Sequence, residues 1–251
     1  MFGDAATLKG GVALELRLDR ARTTKDIDLR VMGTTDGLLE RLQEAGRLDL
    51  DDFLSFEIEA DRHNPDIETD GLKYDGFRFR AEAKLAGKLY GQRFGVDVAF
   101  GDPILDAPET VVADDLFGFA GIAPPTLRLY PIETHIAEKL HAYTLPRDRP
   151  NSRVKDLPDI ALLATIRSLE AARLRAAIEQ TFSFRATHDR PKALPEPPHE
   201  WREPYASMAV EDSLPWATLD HVFEAAKAFI DPVLSDAAPP PIWTATSRRW
   251  E

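Results

Sequence analysis

The stretch RTTKDIDLRV, residues 22–31, places two carboxylates on either side of Ile27 in a segment with the pattern of a β-strand. Because side chains alternate between the faces of a strand, Asp26 and Asp28 share one face, with Cα atoms about 6.5 to 7 Å apart. Two acids at this spacing can jointly hold Mg²⁺, which prefers carboxylate oxygen and often bridges to substrate phosphates. An ordinary strand with one solvent-exposed face would have the same pattern.

A third acid lies in a second strand pattern, FGVDVAF, residues 94–100, where Asp97 stands between two valines. A carboxylate in such surroundings is costly to bury without a partner. If the two strands are neighbours, Asp97 faces the same metal ions as Asp26 and Asp28, and we predict all three as metal ligands. A strand with one solvent face remains the alternative.

The run LKGG, Leu8 to Gly11, precedes a short helical pattern. Glycines at a helix start let backbone N–H groups approach an anion, and the helix dipole favours negative charge there. The phosphate-binding patterns GxxxxGK[ST] and GxGxxG are absent, however, and a tight turn explains a bare Gly-Gly equally well.

The sequence after Pro131, IETHIAEKLHAYTL, has apolar residues at helical spacing. Lys139 flanks this apolar stripe and can reach the edge of a pocket, although an ordinary solvated lysine would occupy the same position. His135 and His141 are six residues apart, a poor metal-ligand spacing on one helix, so we interpret them as structural or surface residues.

A second polar cluster, in RDRPNSRVKDLPDI, marks the start of another helix. Asp156 and Asp159 are three residues apart and can share one helix face, with Arg153 and Lys155 just before them. A polar helix cap with solvated charges would explain the same residues.

Composition limits the class of protein. The chain has 251 residues, 43% apolar residues, no cysteine and a formal charge of −12. These values predict a soluble cytoplasmic protein without disulfides, thiolate zinc sites or broad non-specific nucleic-acid binding. No apolar run approaches the roughly 20 residues of a membrane span. Basic residues nevertheless cluster beside the two acidic motifs, as Arg17, Arg20, Arg22, Lys25 and Arg30, and as Lys139, Arg147, Arg149, Arg153 and Lys155.

The order of these motifs is more specific than any one of them. Gly-Gly, a short helix, two acids on one strand and a third acid on a later strand resemble nucleotidyltransferases of the DNA polymerase β type. KGGVALELRL, RTTKDIDL, FGVDVAFGD, AEKLHAY and SRVKDLPDI, with the late WREPY and FIDPVL, resemble the AbiEii/AbiGii nucleotidyltransferase toxin family. The resemblance spans roughly residues 8–234.

The resemblance implies an α+β fold. We expect a polymerase β-like nucleotidyltransferase domain with a mixed sheet over residues 1–125. A helical carboxy-terminal domain, residues 126–251, follows and contributes to the active site.

The resemblance also implies a function: metal-dependent transfer of a nucleoside monophosphate from an NTP, with Mg²⁺ or Mn²⁺, to an RNA acceptor such as the 3′ end of tRNA. The protein would be a toxin paired with an antitoxin. The implied catalytic residues are Asp26, Asp28, Asp97, Lys139 and Asp156, and the implied nucleotide-binding residues are Lys9, Gly10, Gly11, Thr24, Arg153 and Lys155.

Two features depart from related patterns. Many nucleotidyltransferases have Gly-Ser where this chain has Gly10-Gly11, so one hydroxyl contact to phosphate is missing. The chain also begins eight residues before Lys9, where family members usually carry a further helical segment, which suggests a late-starting form with an incomplete first strand. Two other functions stay open: a non-catalytic module that binds RNA or antitoxin, and a two-metal hydrolase that uses the same acids.

Overall fold

The computed structural model describes residues 2–18, 24–67, 76–101, 103–115, 118–146 and 153–251. A seven-stranded mixed sheet and seven α-helices make up the described chain, so the predicted α+β class is confirmed. The first part of the chain contains β1 (Ala6–Lys9), α1 (Gly10–Glu15), β2 (Ile27–Val31), α2 (Leu38–Gly46), β3 (Leu54–Ala60), β4 (Gly76–Leu85), β5 (Lys88–Phe100), β6 (Glu109–Val112) and β7 (Thr126–Leu129).

The second part is mostly helical. It contains α3 (Ile132–Thr144), α4 (Asp156–Leu163), β8 (Leu169–Glu170), α5 (Ala171–Arg185), α6 (Arg202–Glu211), α7 (Leu219–Leu234), β9 (Ile242–Thr244) and β10 (Arg249–Trp250). Strands β8, β9 and β10 form a separate three-stranded sheet.

The order of strands in the large sheet brings the predicted acidic strands together. The order is β3-β4-β5-β2-β1-β7-β6, with β2 parallel to β5 and β1 parallel to β7, and all other neighbours antiparallel. β2 and β5 are therefore neighbours, as the metal-site prediction required.

The alternation of β2 separates its two faces. Ile27, Leu29 and Val31 pack in an apolar cluster with α2 and the apolar residues of β3, β4 and β5. Asp28 lies on the opposite face, where it lines a cavity. Burial of one apolar face thus fixes which side of the sheet carries the acid, because a shift of one residue would exchange the faces.

Helix α3 packs at the centre of the helical part. The apolar residues predicted for its stripe are buried, and so are polar residues on its other faces, namely Glu133, Thr134, His135 and His141. Leu14 of α1 belongs to the same hydrophobic core as α3 to α7. This contact fixes the short helix after Gly10 and Gly11 against the helical part.

The sequence patterns that predict β2, β5, α1, α3 and α4 correspond to observed elements. The WREPY motif begins at the end of a 3₁₀ turn, His199–Trp201, and continues into the first residues of α6. A domain boundary at residues 125/126 stays a prediction, and β7 of the second half pairs with β1 and β6 of the first. None of the described helices is long and apolar enough to span a membrane.

Leu14→Ala should destabilise the protein by about 2 to 5 kcal/mol, because Leu14 is fully buried and its truncation leaves a cavity in the core. Leu50→Ala is the matched control: Leu50 is 61% exposed, and its truncation should change the free energy of unfolding by less than about 0.5 kcal/mol. Urea unfolding measures both values. Equal effects of the two substitutions would show that α1 is not anchored in the helical core.

Candidate active site

A cavity of about 340 Å³ lies between the polar face of the large sheet and helices α3, α4 and α5. All eleven residues that the sequence predicts for catalysis or nucleotide binding line it. These residues lie as far apart in the chain as Lys9 and Asp156, so the fold brings them together as the motif order predicted. Their individual roles stay predictions.

Four charged residues form a row across neighbouring strands on the cavity face. Lys9 is the register partner of Asp28, Asp28 that of Asp97, and Asp97 that of Arg78. Neighbouring strands are about 4.8 Å apart, so residues in register present their side chains side by side. The row therefore places two acids between two cations.

The charge of Asp28 is poorly solvated. Burial raises the pKa of this carboxyl group above its usual value. The nearby Lys9 and Lys139 oppose the shift, whereas the like charge of Asp97 adds to it. A cation bound at Asp28 would compensate a carboxylate that the protein keeps partly desolvated.

Glycines leave room for the polar side chains of the site. Gly10 has a φ of +62°, and a Cβ at this position would lie 1.9 Å from Asp28 Oδ2. A Cβ on Gly11 would lie 2.5 Å from Thr24 Oγ1. The close approach of the Asp28 and Thr24 side chains to the backbone therefore explains the Gly-Gly pair without a bound anion.

Asp26 is held from the neighbouring strand. The backbone N–H of Gly95 donates a hydrogen bond of 3.0 Å to Asp26 Oδ1. A Cβ on Gly95 would lie 2.6 Å from the same oxygen. The contact anchors the carboxylate of Asp26, which lines the cavity, to β5.

Asp97 makes a bidentate contact with Arg78. Arg78 Nε donates to Asp97 Oδ1 and Arg78 Nη2 to Asp97 Oδ2, both at 2.9 Å. The hydrogen bonds to Asp97 raise the pKa of the Arg78 guanidinium. Asp97 thus lies beside Asp28 with both of its oxygens hydrogen-bonded to a cation.

The helical wall of the cavity contains a buried ion-pair cluster. Lys139 Nζ lies 3.0 Å from Asp156 Oδ1 and 2.8 Å from Asp159 Oδ2, and both carboxylates are fully buried. Arg153 Nε lies 3.7 Å from Asp156 Oδ2. This cluster fixes the ammonium group of Lys139 at the cavity, and Asp159 contributes to it although the sequence predicted no site role for it.

Glu138 joins the two walls of the cavity. Its carboxylate accepts from Lys9 Nζ at 3.3 Å and from the Tyr130 hydroxyl at 3.2 Å, and lies 3.0 Å from Arg185 Nη2. Lys9 belongs to β1, Glu138 to α3 and Arg185 to the last turn of α5. Glu138 and Arg185 line the cavity without having been predicted, because their pairing depends on a tertiary contact.

Two histidines of α3 also line the cavity, and both are buried rather than on the surface. Burial, with the positive charges of Lys139 and Arg17, lowers the pKa of His135 to about 3. Burial and Arg185 lower the pKa of His141 to about 3. Both imidazoles are therefore neutral at physiological pH.

The donor chemistry fits a hard divalent cation at the acid pair. Asp26 and Asp28 supply carboxylate oxygens, the ligands that Mg²⁺ and Mn²⁺ prefer. No group of three or more His, Asp or Glu side chains in the described ranges is close enough to form a complete metal site. Asp26 and Asp28 are therefore the acids that fit a divalent cation, whereas Asp97 is in contact with Arg78.

Of the basic residues predicted around the site, some line the cavity, some do not, and some lie outside the described residues. Arg153, Lys155 and Lys139 line the cavity, whereas Arg17 pairs with Glu109 at 2.8 Å. Lys25 and Arg30 are not among the cavity-lining residues of the described chain. The remaining predicted positions, Arg20, Arg22, Arg147 and Arg149, lie outside the described residues.

Similar structures define the class of fold. MenT4, a nucleotidyltransferase toxin from Mycobacterium tuberculosis H37Rv, is similar with a TM-score of 0.60 and 18% identity, over 94% of this chain and 78% of that chain. JHP933 from Helicobacter pylori matches with a TM-score of 0.46 and 17% identity, over 92% of this chain and 83% of that chain. The likeness to MenT4 shows that this chain has the fold of a nucleotidyltransferase toxin.

The family follows from the sequence comparison. A family model described as "Nucleotidyl transferase AbiEii toxin, Type IV TA system" matches residues 2–241. The chain belongs to this family of nucleotidyltransferase toxins from type IV toxin–antitoxin systems, and the resemblance noted in its motifs is confirmed. A comparison with curated protein sequences finds no significant match.

Gly10→Ala should destabilise the protein more than Gly37→Ala does. The two glycines have nearly the same φ, +62° and +61°, but a Cβ on Gly37 meets nothing closer than 3.9 Å. Both substitutions carry the cost of a left-handed backbone, about 1 to 2 kcal/mol, and only Gly10→Ala also displaces Asp28. Urea unfolding of both variants measures the difference, and equal losses would mean that Asp28 moves aside freely.

The protein should lose stability as the pH falls from 7.5 to 5.5. His135 and His141 have pKa values of about 3 in the folded protein and about 6.5 when unfolded, so only the unfolded state takes up protons in this range. Each histidine should lower the free energy of unfolding by about 1 to 1.5 kcal/mol. Urea unfolding at several pH values measures this loss.

His135→Leu tests the contribution of one of these groups and should make the pH dependence shallower by about the contribution of one histidine. His221→Gln, at an exposed position, is the control for the loss of a histidine that is not buried. An unchanged slope in His135→Leu would mean that His135 is protonated in the folded protein.

Proposed function

We propose that this toxin transfers a nucleoside monophosphate from an NTP to an RNA acceptor, the 3′ end of tRNA, in a reaction that needs Mg²⁺ or Mn²⁺. A cognate antitoxin would oppose this activity. The observation that carries the proposal is that Asp26, Asp28 and Asp97 line one cavity with Lys9 and Lys139. Acids that can hold a metal ion thus stand beside cations that can hold a polyphosphate.

Asp26 and Asp28 would hold the metal ion. The Gly95 N–H already orients Asp26, and burial makes an added positive charge favourable at Asp28. When bound, a divalent cation would stabilise negative charge that develops on the phosphate oxygens during the transfer.

The triphosphate would lie along Gly10 and Gly11, which line the cavity beside Asp28 and Thr24. Lys9 and Lys139 would offset its charge, and Thr24 would donate from its hydroxyl. Lys139 is suited to this role because Asp156 and Asp159 hold it at the cavity. Arg153 and Lys155, at the start of α4, would contact phosphate from the helical side.

Asp97 either completes the metal-binding set or accepts the proton of the attacking hydroxyl. In the second role the acceptor oxygen bonds to the α-phosphorus while its proton passes to a carboxylate oxygen of Asp97. The bond from the α-phosphorus to the bridging oxygen breaks, and diphosphate leaves toward Lys9 and Lys139.

Two other functions compete with transfer. A non-catalytic member of the fold would bind RNA or the antitoxin through the same basic residues, and a hydrolase would use the acids to cleave RNA. Incubation of the protein with Mg²⁺, each of the four α-labelled NTPs and total tRNA separates the three. Label on RNA indicates transfer, RNA shortened without NTP indicates hydrolysis, and RNA binding with neither product indicates a binding module.

Asp26→Asn and Asp28→Asn should each lower the rate of label transfer by about 100-fold or more, because an amide is a poor ligand for a hard cation and metal stabilisation is worth several kcal/mol. Asp220→Asn is the matched control. Asp220 is exposed and pairs with Arg202, and neither residue lines the cavity, so its variant should transfer at the wild-type rate. Initial rates at saturating NTP measure the effect.

Chelation of divalent ions should abolish transfer by the wild-type protein, and added Mg²⁺ or Mn²⁺ should restore it. Transfer that persists in Asp28→Asn at the wild-type rate would refute the proposed metal site. Label absent with all four NTPs would refute the proposed reaction.

A further inference from the structure

The contact between Arg78 and Asp97 has the geometry of a fixed clamp. Both Asp97 oxygens accept hydrogen bonds of 2.9 Å from one planar guanidinium. Arg78 and Asp97 are direct cross-strand partners on β4 and β5, so the sheet itself sets their separation. Bidentate pairs of this kind are strong and directional, and the guanidinium keeps its charge at any physiological pH.

The clamp changes the number of negative charges that a cation would meet. Lys9 pairs with Glu138, and Lys139 with Asp156 and Asp159, so these lysines have carboxylate partners of their own. Asp26, Asp28 and Asp97 carry three negative charges, and Arg78 cancels one of them. Asp26 and Asp28 remain as the two cavity acids on the sheet that make no bidentate contact with Arg78.

We propose that Arg78 is a positioning residue that keeps Asp97 out of the metal-binding set, so that the site takes one divalent cation through Asp26 and Asp28. This inference rests on the proposed function and selects between the two roles of Asp97. With Arg78 in place, the role that remains for Asp97 is to accept the proton of the attacking hydroxyl. Arg78 also orients the carboxylate of Asp97 for accepting this proton.

The same strand contains a comparable pair outside the cavity. Arg80 Nε donates to Asp61 Oδ2 at 2.8 Å, and Asp61 also accepts from the backbone N–H groups of His63 and Asn64. Neither Arg80 nor Asp61 lines the cavity. Arg80→Gln therefore removes an arginine–aspartate contact from β4 at residues that do not line the cavity.

The test is Mn²⁺ binding to the full chain without nucleotide, measured by electron paramagnetic resonance and by calorimetry. The wild-type protein should bind one Mn²⁺. Arg78→Gln should bind Mn²⁺ about ten-fold more tightly or better, because Asp97 becomes a third carboxylate ligand. Arg80→Gln should match the wild-type affinity, and competition with Mg²⁺ shows that both ions share the site.

The double variant Arg78→Gln/Asp97→Asn removes the pair without changing net charge. It should bind Mn²⁺ within about three-fold of the wild-type affinity, because Asp97 is not a ligand while Arg78 is present. A gain in affinity in Arg78→Gln is a result that simple loss of structure would not give. Thermal unfolding of each variant confirms that it is folded.

Three results would overturn the inference. The first is a double variant that binds Mn²⁺ ten-fold more weakly than wild type, since Asp97 would then be a ligand in the native protein. The second is an Arg78→Gln variant with unchanged or weaker binding. The third is a wild-type protein that binds no Mn²⁺ at all. If the wild-type protein still transfers label in either of the first two cases, only the inference fails; absence of both binding and transfer removes the proposed function as well.

Discussion

The structure of the site depends on one electrostatic constraint: Asp28 and Asp97 are side by side on neighbouring parallel strands. Two carboxylates in register repel each other and require compensation by cations. The sheet supplies it from both sides, because β1 places Lys9 next to Asp28 and β4 places Arg78 next to Asp97. Along the strand order β4-β5-β2-β1, the charges on the polar face therefore run positive, negative, negative, positive. The pairing of the strands determines this arrangement.

The helical part completes a cavity that the sheet alone leaves open. Helix α3 is buried on nearly all sides, which explains how it can present a lysine and a glutamate at fixed positions. Buried carboxylates of α4 hold Lys139, and Glu138 connects β1 to α5 through Lys9 and Arg185. Both parts of the chain line this cavity, since neither part alone contains the acids and the helical cations.

Alternation and spacing in the sequence predicted the acidic strands, the Gly-Gly turn and the helices. Each of these signals is local: β2 and β5 alternate strictly, and α3 has a helical apolar stripe. The Arg78–Asp97 clamp and the Arg185–Glu138 contact could not be predicted, because they depend on strand register and on tertiary packing. Strand β1, expected only from the resemblance, has four residues and carries little periodic signal of its own. Strand β3 was missed although Leu54–Ala60 alternates apolar and polar residues.

Three of the polar residues in the site have a glycine that makes room for them. The pairs are Gly10 with Asp28, Gly11 with Thr24, and Gly95 with Asp26. Gly11 and Gly95 are constrained by their partners alone, so each should change together with its partner over evolution, whereas Gly10 also has a positive φ that disfavours any side chain. A descendant that has lost Thr24 and Asp26 is free to replace Gly11 and Gly95. Their joint retention or loss across relatives then distinguishes working enzymes from inactive copies of the fold.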